Sequence, residues 1–376
     1  MSSLLEGVPL VDHHCHGVVR RALDRTAFEE LLTESSTVHP LGVSLFDSQI
    51  GFAVRRWCAP ALGLPAHSSA EDYLARRTDL GPEEVTRRLL TATGITMYLV
   101  DSGFEPEPIT SPAELAGMTG TAAHEIVRLE RLAEEAVLAG ATGATFADDV
   151  RRLLWDRTRD AVAVKSIAAY RVGLELRPDR PGAAEVVAAV ERWLLDIEAC
   201  GEVRCAEEVL CRFLIWEGLD RGLPLQFHVG IGDSDIDLHR CDPLLLTPVL
   251  RATEPLGVPV MLLHNYPFHR NAGYLAQVFS HVFVDVGLAT HNLGPAAGRV
   301  IAETLELAPF GKFLFSSDAF GLPELFHLAA LLFRRGLDEF LAGGVGSGDW
   351  SAADADRVAA MIGHGNARRA YRLDRS

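Results

Sequence analysis

Apolar residues along the chain fall into short runs separated by longer amphipathic stretches, the alternation of a parallel sheet with crossover helices. Eight runs read as strands: 8–12, 95–101, 125–130, 161–165, 225–228, 258–264, 282–286 and 312–316. Runs such as VPVMLLH and KFLFSS are apolar almost throughout, as strands covered on both faces should be. Helices are predicted between them at 70–78, 82–93, 146–158, 183–200, 206–221 and 322–335, the last with Pro323 in its first turn, where proline is tolerated. Eight such units over residues 1–376 predict a single domain, one (β/α)8 TIM barrel of α/β class. The stretch 20–93 is too long for one crossover, so it predicts a helical insertion over the barrel mouth.

Composition narrows the partners. The formal net charge of −16 opposes nucleic acid and anionic membranes, which carry the same sign, and points to a small-molecule substrate. A homo-oligomer remains compatible with this surface. The start MSSLLEGVPLVDHH lacks a basic end and a long apolar run, and no segment approaches a bilayer span, so a cytoplasmic setting is expected. The six cysteines show no zinc-finger spacing and are sparse for a disulfide framework.

Polar residues gather at the carboxyl ends of the runs, the rim on which barrels build active sites. In Val11-Asp12-His13-His14-Cys15-His16, residues two apart on an extended segment share a face, so His14 and His16 can grip one ion. The fifth run ends at His228, the sixth at His264 and the eighth leads into Asp318, one metal-competent group each. Four histidines and a carboxylate suit a divalent metal, zinc first, with manganese or iron as alternatives. Lys165 closes the apolar fourth run, and an unpaired buried ammonium is costly. Carbamylation, which would make Lys165 a metal ligand bridging two ions, is the expected solution; a charged lysine that anchors substrate is the alternative.

These features resemble the amidohydrolase superfamily. More narrowly, VKSIAAYRVGLEL, PLQFHVGIGDSDIDL, LLHNYPFHRNAGYLA, FSSDAFGLPEL and GNARRAYRL are similar to the amidohydrolase-related (amidohydrolase 2) branch that includes the amino-terminal part of FluG-like and nodulin-like glutamine synthetase fusions. The resemblance implies a (β/α)8 barrel in which His14, His16, His228 and Asp318 bind metal. It further implies that His264 is a hydrogen-bonding catalytic group in one-metal members, or a ligand of the second ion where Lys165 is carbamylated. The sequence stops soon after GNARRAYRL, so no glutamine synthetase part is expected and γ-glutamyl compounds are a hint only.

The expected activity is metal-dependent hydrolysis of an amide or related C–N bond in a small molecule, of γ-glutamyl or other carboxylate-bearing type. Asp318 is the expected general base and His264 the second catalytic group. Substrate contacts are expected from Tyr170 and Arg171 after the fourth run, Asn265 and His269 after the sixth, and Arg56 and Trp57 in the insertion. Arg171 could clamp a carboxylate or make a structural ion pair. The acidic loop 233–237 could read an amine or be a solvated turn. Two rivals stand beside the hydrolase: a metal-dependent non-oxidative decarboxylase of a small aromatic or enoic acid, and a non-catalytic binding barrel.

Overall fold

The computed structural model describes residues 4–35, 37, 41–104 and 106–374. Seven strands form one parallel sheet in sequence order: β1 (Leu10–Cys15), β2 (Ile95–Asp101), β3 (Ala122–Arg128), β4 (Ala163–Ser166), β5 (Leu225–Val229), β6 (Val260–His264) and β7 (Val282–Val284). Helices connect them, an α/β architecture of TIM-barrel type. Alternate strand residues face two apolar layers. Leu10, Tyr98 and Val164 join the large cluster against the helices, whereas Val11, Leu99, Met261 and Leu263 pack with Leu314 on the inner face.

Three expected boundaries move. The run 8–12 extends through Cys15, so His13 and His14 lie within β1 itself and His16 just past its end. The run 125–130 ends early, because Leu129 begins the helix Leu129–Leu138 and Glu130 turns inward to accept from Ser166 Oγ at 2.6 Å and Ile167 N at 3.0 Å. The expected helix 322–335 continues as Pro323–Ser347. Gly336 lies inside it as a packing residue: a Cβ there would lie 2.6 Å from the Gly298 Cα of the neighbouring helix.

The eighth run differs most. Residues 313–321 make no regular strand, but they bond to both edge strands: Leu314 N to Val284 O at 3.0 Å, and His13 N to Phe315 O at 3.1 Å. The extended path breaks where Asp12 takes the Ser317 N–H at 2.9 Å and its hydroxyl at 2.5 Å, in place of ladder partners. Asp318 follows in left-handed conformation, φ 49°.

Between β1 and β2 lie the helices Arg25–Glu30, Gln49–Ala53, Ala70–Leu80 and Pro82–Thr91, with a π-type turn at Val54–Cys58. Ser69 caps the third by accepting from Asp72 N, and Pro82 occupies the first turn of the fourth. Buried Glu324 accepts from Arg77 at 2.6 Å and Tyr73 at 2.7 Å, which anchors this stretch to the helix Pro323–Ser347. Residues 36 and 38–40 of the stretch lie outside the described ones. No described helix is long and apolar enough to cross a membrane.

Candidate metal centre

Parallel register brings the strand ends to one level: Arg128 pairs with Lys165, and Val229 with His264. His14, Lys165 and His264 are all buried there. The donor atoms of His14, His264 and Asp318 lie within 4.8 Å of one another, as do those of His14, His16 and Asp101.

The β1 histidines are oriented from behind. His14 Nδ1 lies 2.9 Å from Gln226 Oε1, and His16 Nδ1 lies 3.0 Å from the Asp101 carbonyl. Both acceptors need a proton on Nδ1, which leaves each Nε2 with a free lone pair. These two nitrogens converge on Asp318 Oδ1, at 3.0 Å from His14 and 3.5 Å from His16. His264 Nδ1 stands 3.4 Å from Asp318 Oδ2, yet neither ring nitrogen of this buried histidine has a hydrogen-bond partner among the described residues. Buried polar atoms are rarely left in that state without an ion or ligand to serve. The donor set therefore fits a divalent cation.

Electrostatics keeps these groups in ligand form. Burial and Lys165 push His14 down to about 3, and burial with His264 and Lys165 holds His228 well below its ordinary value. Burial works to raise Asp318, but the facing His264, His14 and His16 outweigh it and hold the carboxyl well below the usual range. Burial thus disfavours the charged forms of His14 and His228 beside a carboxylate held ionised.

Lys165 Nζ lies 2.9 Å from His14 Nε2 and 3.1 Å from Asp101 Oδ2. The same carboxylate oxygen accepts from Arg128 at 2.6 Å. His228 joins neither donor cluster: its Nε2 lies 3.0 Å from the Ile231 carbonyl, and its ring is 4.6 Å from that of His264 and 4.5 Å from that of Tyr170.

Above the centre opens a cavity of about 510 Å³, lined by His16, Lys165, Tyr170, Arg171, His228, His291 and Asp318 among others. Arg171 reaches it already paired, with Nη2 3.0 Å from Glu134 Oε1, which realises the structural alternative. Four expected substrate contacts, Asn265, His269, Trp57 and Arg56, lie off the cavity wall. Asn265 is fully buried and donates to the Leu262 and Asp285 carbonyls, at 2.5 and 3.0 Å, stabilising the left-handed turn that it forms with His264. His269 pairs with Glu303 at 2.7 Å. Trp57 is sandwiched by Arg56 and Arg335, whose guanidinium carbons lie 4.0 and 4.8 Å from its ring.

Sequence reasoning missed Asp101, Asp285 and Gln226. Asp285 accepts from His264 N at 2.7 Å and Gly287 N at 2.9 Å, and faces His13 Nε2 at 2.8 Å. Both aspartates close apolar runs (YLVD, VFVD), the same signal that singled out Asp318. Gln226 carried no such signal: its amide donates to the His13 carbonyl at 2.9 Å and the Tyr371 hydroxyl at 2.7 Å while its oxygen steadies His14.

The sequence model of the family described as Amidohydrolase matches residues 11–373. Protein fluG of Emericella nidulans is 27% identical over 411 residues, covering 99% of this chain and 46% of that protein, so the chain spans about half the length of that relative. A crystal structure from Lactobacillus casei ATCC 334, provisionally assigned as a metal-dependent hydrolase, is 31% identical with TM-score 0.83, covering 100% of this chain and 99% of the other. A uronate isomerase from Bacillus halodurans C-125 shares the fold at 15% identity and TM-score 0.62, over 98% of this chain and 94% of its own.

Proposed function

The chain belongs to the amidohydrolase family, and from that premise we propose that it is a metal-dependent hydrolase cleaving an amide or related C–N bond of a small molecule. The observation that carries the reading is the convergence of His14 Nε2 and His16 Nε2 on Asp318 Oδ1, with both Nδ1 atoms engaged behind them. We read the segment 313–321 as the eighth position of a (β/α)8 barrel and the helices between β1 and β2 as the insertion at its mouth.

His14, His16 and Asp318 would hold one divalent ion, zinc first by donor type. Such an ion supplies Lewis acidity, polarising a substrate oxygen and acidifying water. Asp318, ionised at neutral pH, accepts the proton from water and returns it to the leaving nitrogen. His264, whose two ring nitrogens have no hydrogen-bond partner among the described residues, is placed to hydrogen-bond the reacting group. His228 would come into play only by leaving the Ile231 carbonyl.

Lys165 decides between one ion and two. A carbamate there would set a second anion against Asp101, with Arg128 as the neighbouring cation shared by both. Burial lowers Lys165 while Asp101, 3.1 Å away, opposes that and supports the ammonium; we take this pairing, and with it a single ion, as the reading to test. The expected γ-glutamyl or other carboxylate-bearing substrate loses its proposed clamp, since Arg171 is engaged by Glu134. The six cysteines are free, which suits the cytoplasm as the setting.

One observation favours the decarboxylase reading: Phe104 and Phe320 flank His16, with ring centroids 6.0 and 5.9 Å away, and would suit an aromatic acid. Product analysis separates the two. Zinc- or manganese-loaded protein given a panel of small amides and aromatic acids is expected to release amine or ammonia and no carbon dioxide. Release of carbon dioxide with every amide left intact would overturn the hydrolase in favour of the decarboxylase.

A further inference from the structure

The cavity wall carries charge of both signs, and where each cation is spent shows what the cavity lacks. Toward the floor, Lys165 and Arg128 both lie against Asp101, and Asp318 faces the histidines. Toward the mouth, Arg171 is taken by Glu134, and Arg204 lies 3.3 Å from Asp235 while donating to the Tyr170 carbonyl at 2.9 Å. Glu34 and Asp233 also line this cavity, and neither has an ion-pair partner among the described residues. Glu34 comes from the segment after the helix Arg25–Glu30, and Asp233 from the loop after β5, so two separate parts of the chain bring carboxylates to one opening, with Arg204 near enough to Asp233 to oppose part of its charge.

Two further features of the same cavity point to a ligand. His291 is buried at 1% exposure on the wall, and its Nδ1 has no hydrogen-bond partner among the described residues. A buried ring nitrogen on a cavity wall needs a group in the cavity to bond. Tyr170 adds an aromatic surface among the carboxylates, its ring tilted at 55° against that of His228 and its hydroxyl against Gly232, where a Cβ would come within 2.2 Å. An aromatic face beside carboxylates is the pairing that binds organic cations.

We infer that the substrate carries a cationic ammonium group, held at the cavity mouth between Glu34 and Asp233 and against the Tyr170 ring, with its reacting bond directed down toward Asp318. This rests on the hydrolase reading only for which bond reacts; the cation site stands on the wall itself. Burial, together with Asp318 and Asp233, pushes Glu34 up to about 7, so it is only part-ionised at neutral pH until a cation sits beside it; burial also raises Asp233, against the opposing pull of Arg204. An anionic group at the same place would meet both carboxylates, so discrimination against acids follows from the same residues.

The test compares butylammonium, n-butanol and butyrate as ligands of the zinc-loaded protein near neutral pH, read by calorimetry or ligand-detected NMR. Wild-type protein is expected to bind butylammonium at least about tenfold more tightly than either other probe, the scale of two partly exposed ion pairs with an aromatic contact. In Glu34→Gln/Asp233→Asn the preference should fall toward equality. Equal or tighter binding of butanol or butyrate by wild type overturns the inference, and that comparison needs no variant to fold. A preference that survives the double substitution also overturns it, since the cation would then be held by the metal or elsewhere. An ammonium preference in a protein that hydrolyses no amide supports the cation site and counts against the hydrolase reading alone.

Discussion

The floor and the mouth of the cavity are built by different rules. On the floor, His14, Asp101 and Lys165 sit at strand ends, buried, and hydrogen-bonded to one another or to Gln226 and Arg128. At the mouth, Glu34 and Asp233 stand on loops, partly exposed and short of partners. The floor's chemistry is fixed by register, because moving a strand by one residue would turn every ligand to the other face. The mouth's is fixed by loops that can change without disturbing the sheet. Reaction type therefore belongs to the floor and substrate choice to the mouth.

The largest expected effect lies on the floor. Asp318→Asn keeps size and one coordinating oxygen but loses the proton acceptor, so the hydrolysis rate should fall by roughly 100-fold or more. Metal content should change much less than rate. Near-normal turnover with metal still bound would pass the base to another group and dissolve the division between floor and mouth.

Next comes Asp101→Asn, which strands Lys165 and Arg128 without their shared anion. Breaking a buried pair from one side costs about 3–5 kcal/mol, which denaturant titration would read as a lower midpoint. The sign with pH follows from the folded state. Although burial opposes it, Arg128 and Lys165 hold Asp101 well below its ordinary value, so its stabilisation is present above the unfolded pKa and is lost as pH falls through the folded one. The wild-type advantage over Asp101→Asn should therefore shrink in strong acid; an advantage independent of pH would show that the pair contributes little.

Tyr371→Phe should act less, and from a distance. The Tyr371 hydroxyl accepts from Gln226 at 2.7 Å and lies 2.9 Å from His13 Nδ1, so its loss leaves two buried groups unpaired at about 1–3 kcal/mol. Gln226 would then hold His14 less firmly, and zinc affinity should weaken by up to about tenfold. Lower stability with unchanged zinc affinity would mean that the C-terminal tyrosine supports the fold without positioning the ligand.

The same contrast explains what could be read in advance. The meeting of strand ends was legible because an apolar run that ends in His or Asp marks its place at one rim, and His14, His16, His264 and Asp318 do lie together. Asp101 and Asp285 carry the same signal at YLVD and VFVD. Partners distant in sequence were not legible. Nothing in the local sequence of Arg171 names Glu134, 37 positions away, as its counter-ion, and nothing near Tyr371 names Gln226, 145 positions away.

The account turns on one ion held by His14, His16 and Asp318, and metal stoichiometry tests it most directly. Elemental analysis of the protein after zinc loading and removal of free metal is expected to give about one ion per chain, and far less in His14→Ala with the circular dichroism of the fold retained. No bound metal in wild type would contradict the centre itself. Two ions per chain, with a carbamate on Lys165 in electron density, would contradict the charged lysine paired with Asp101.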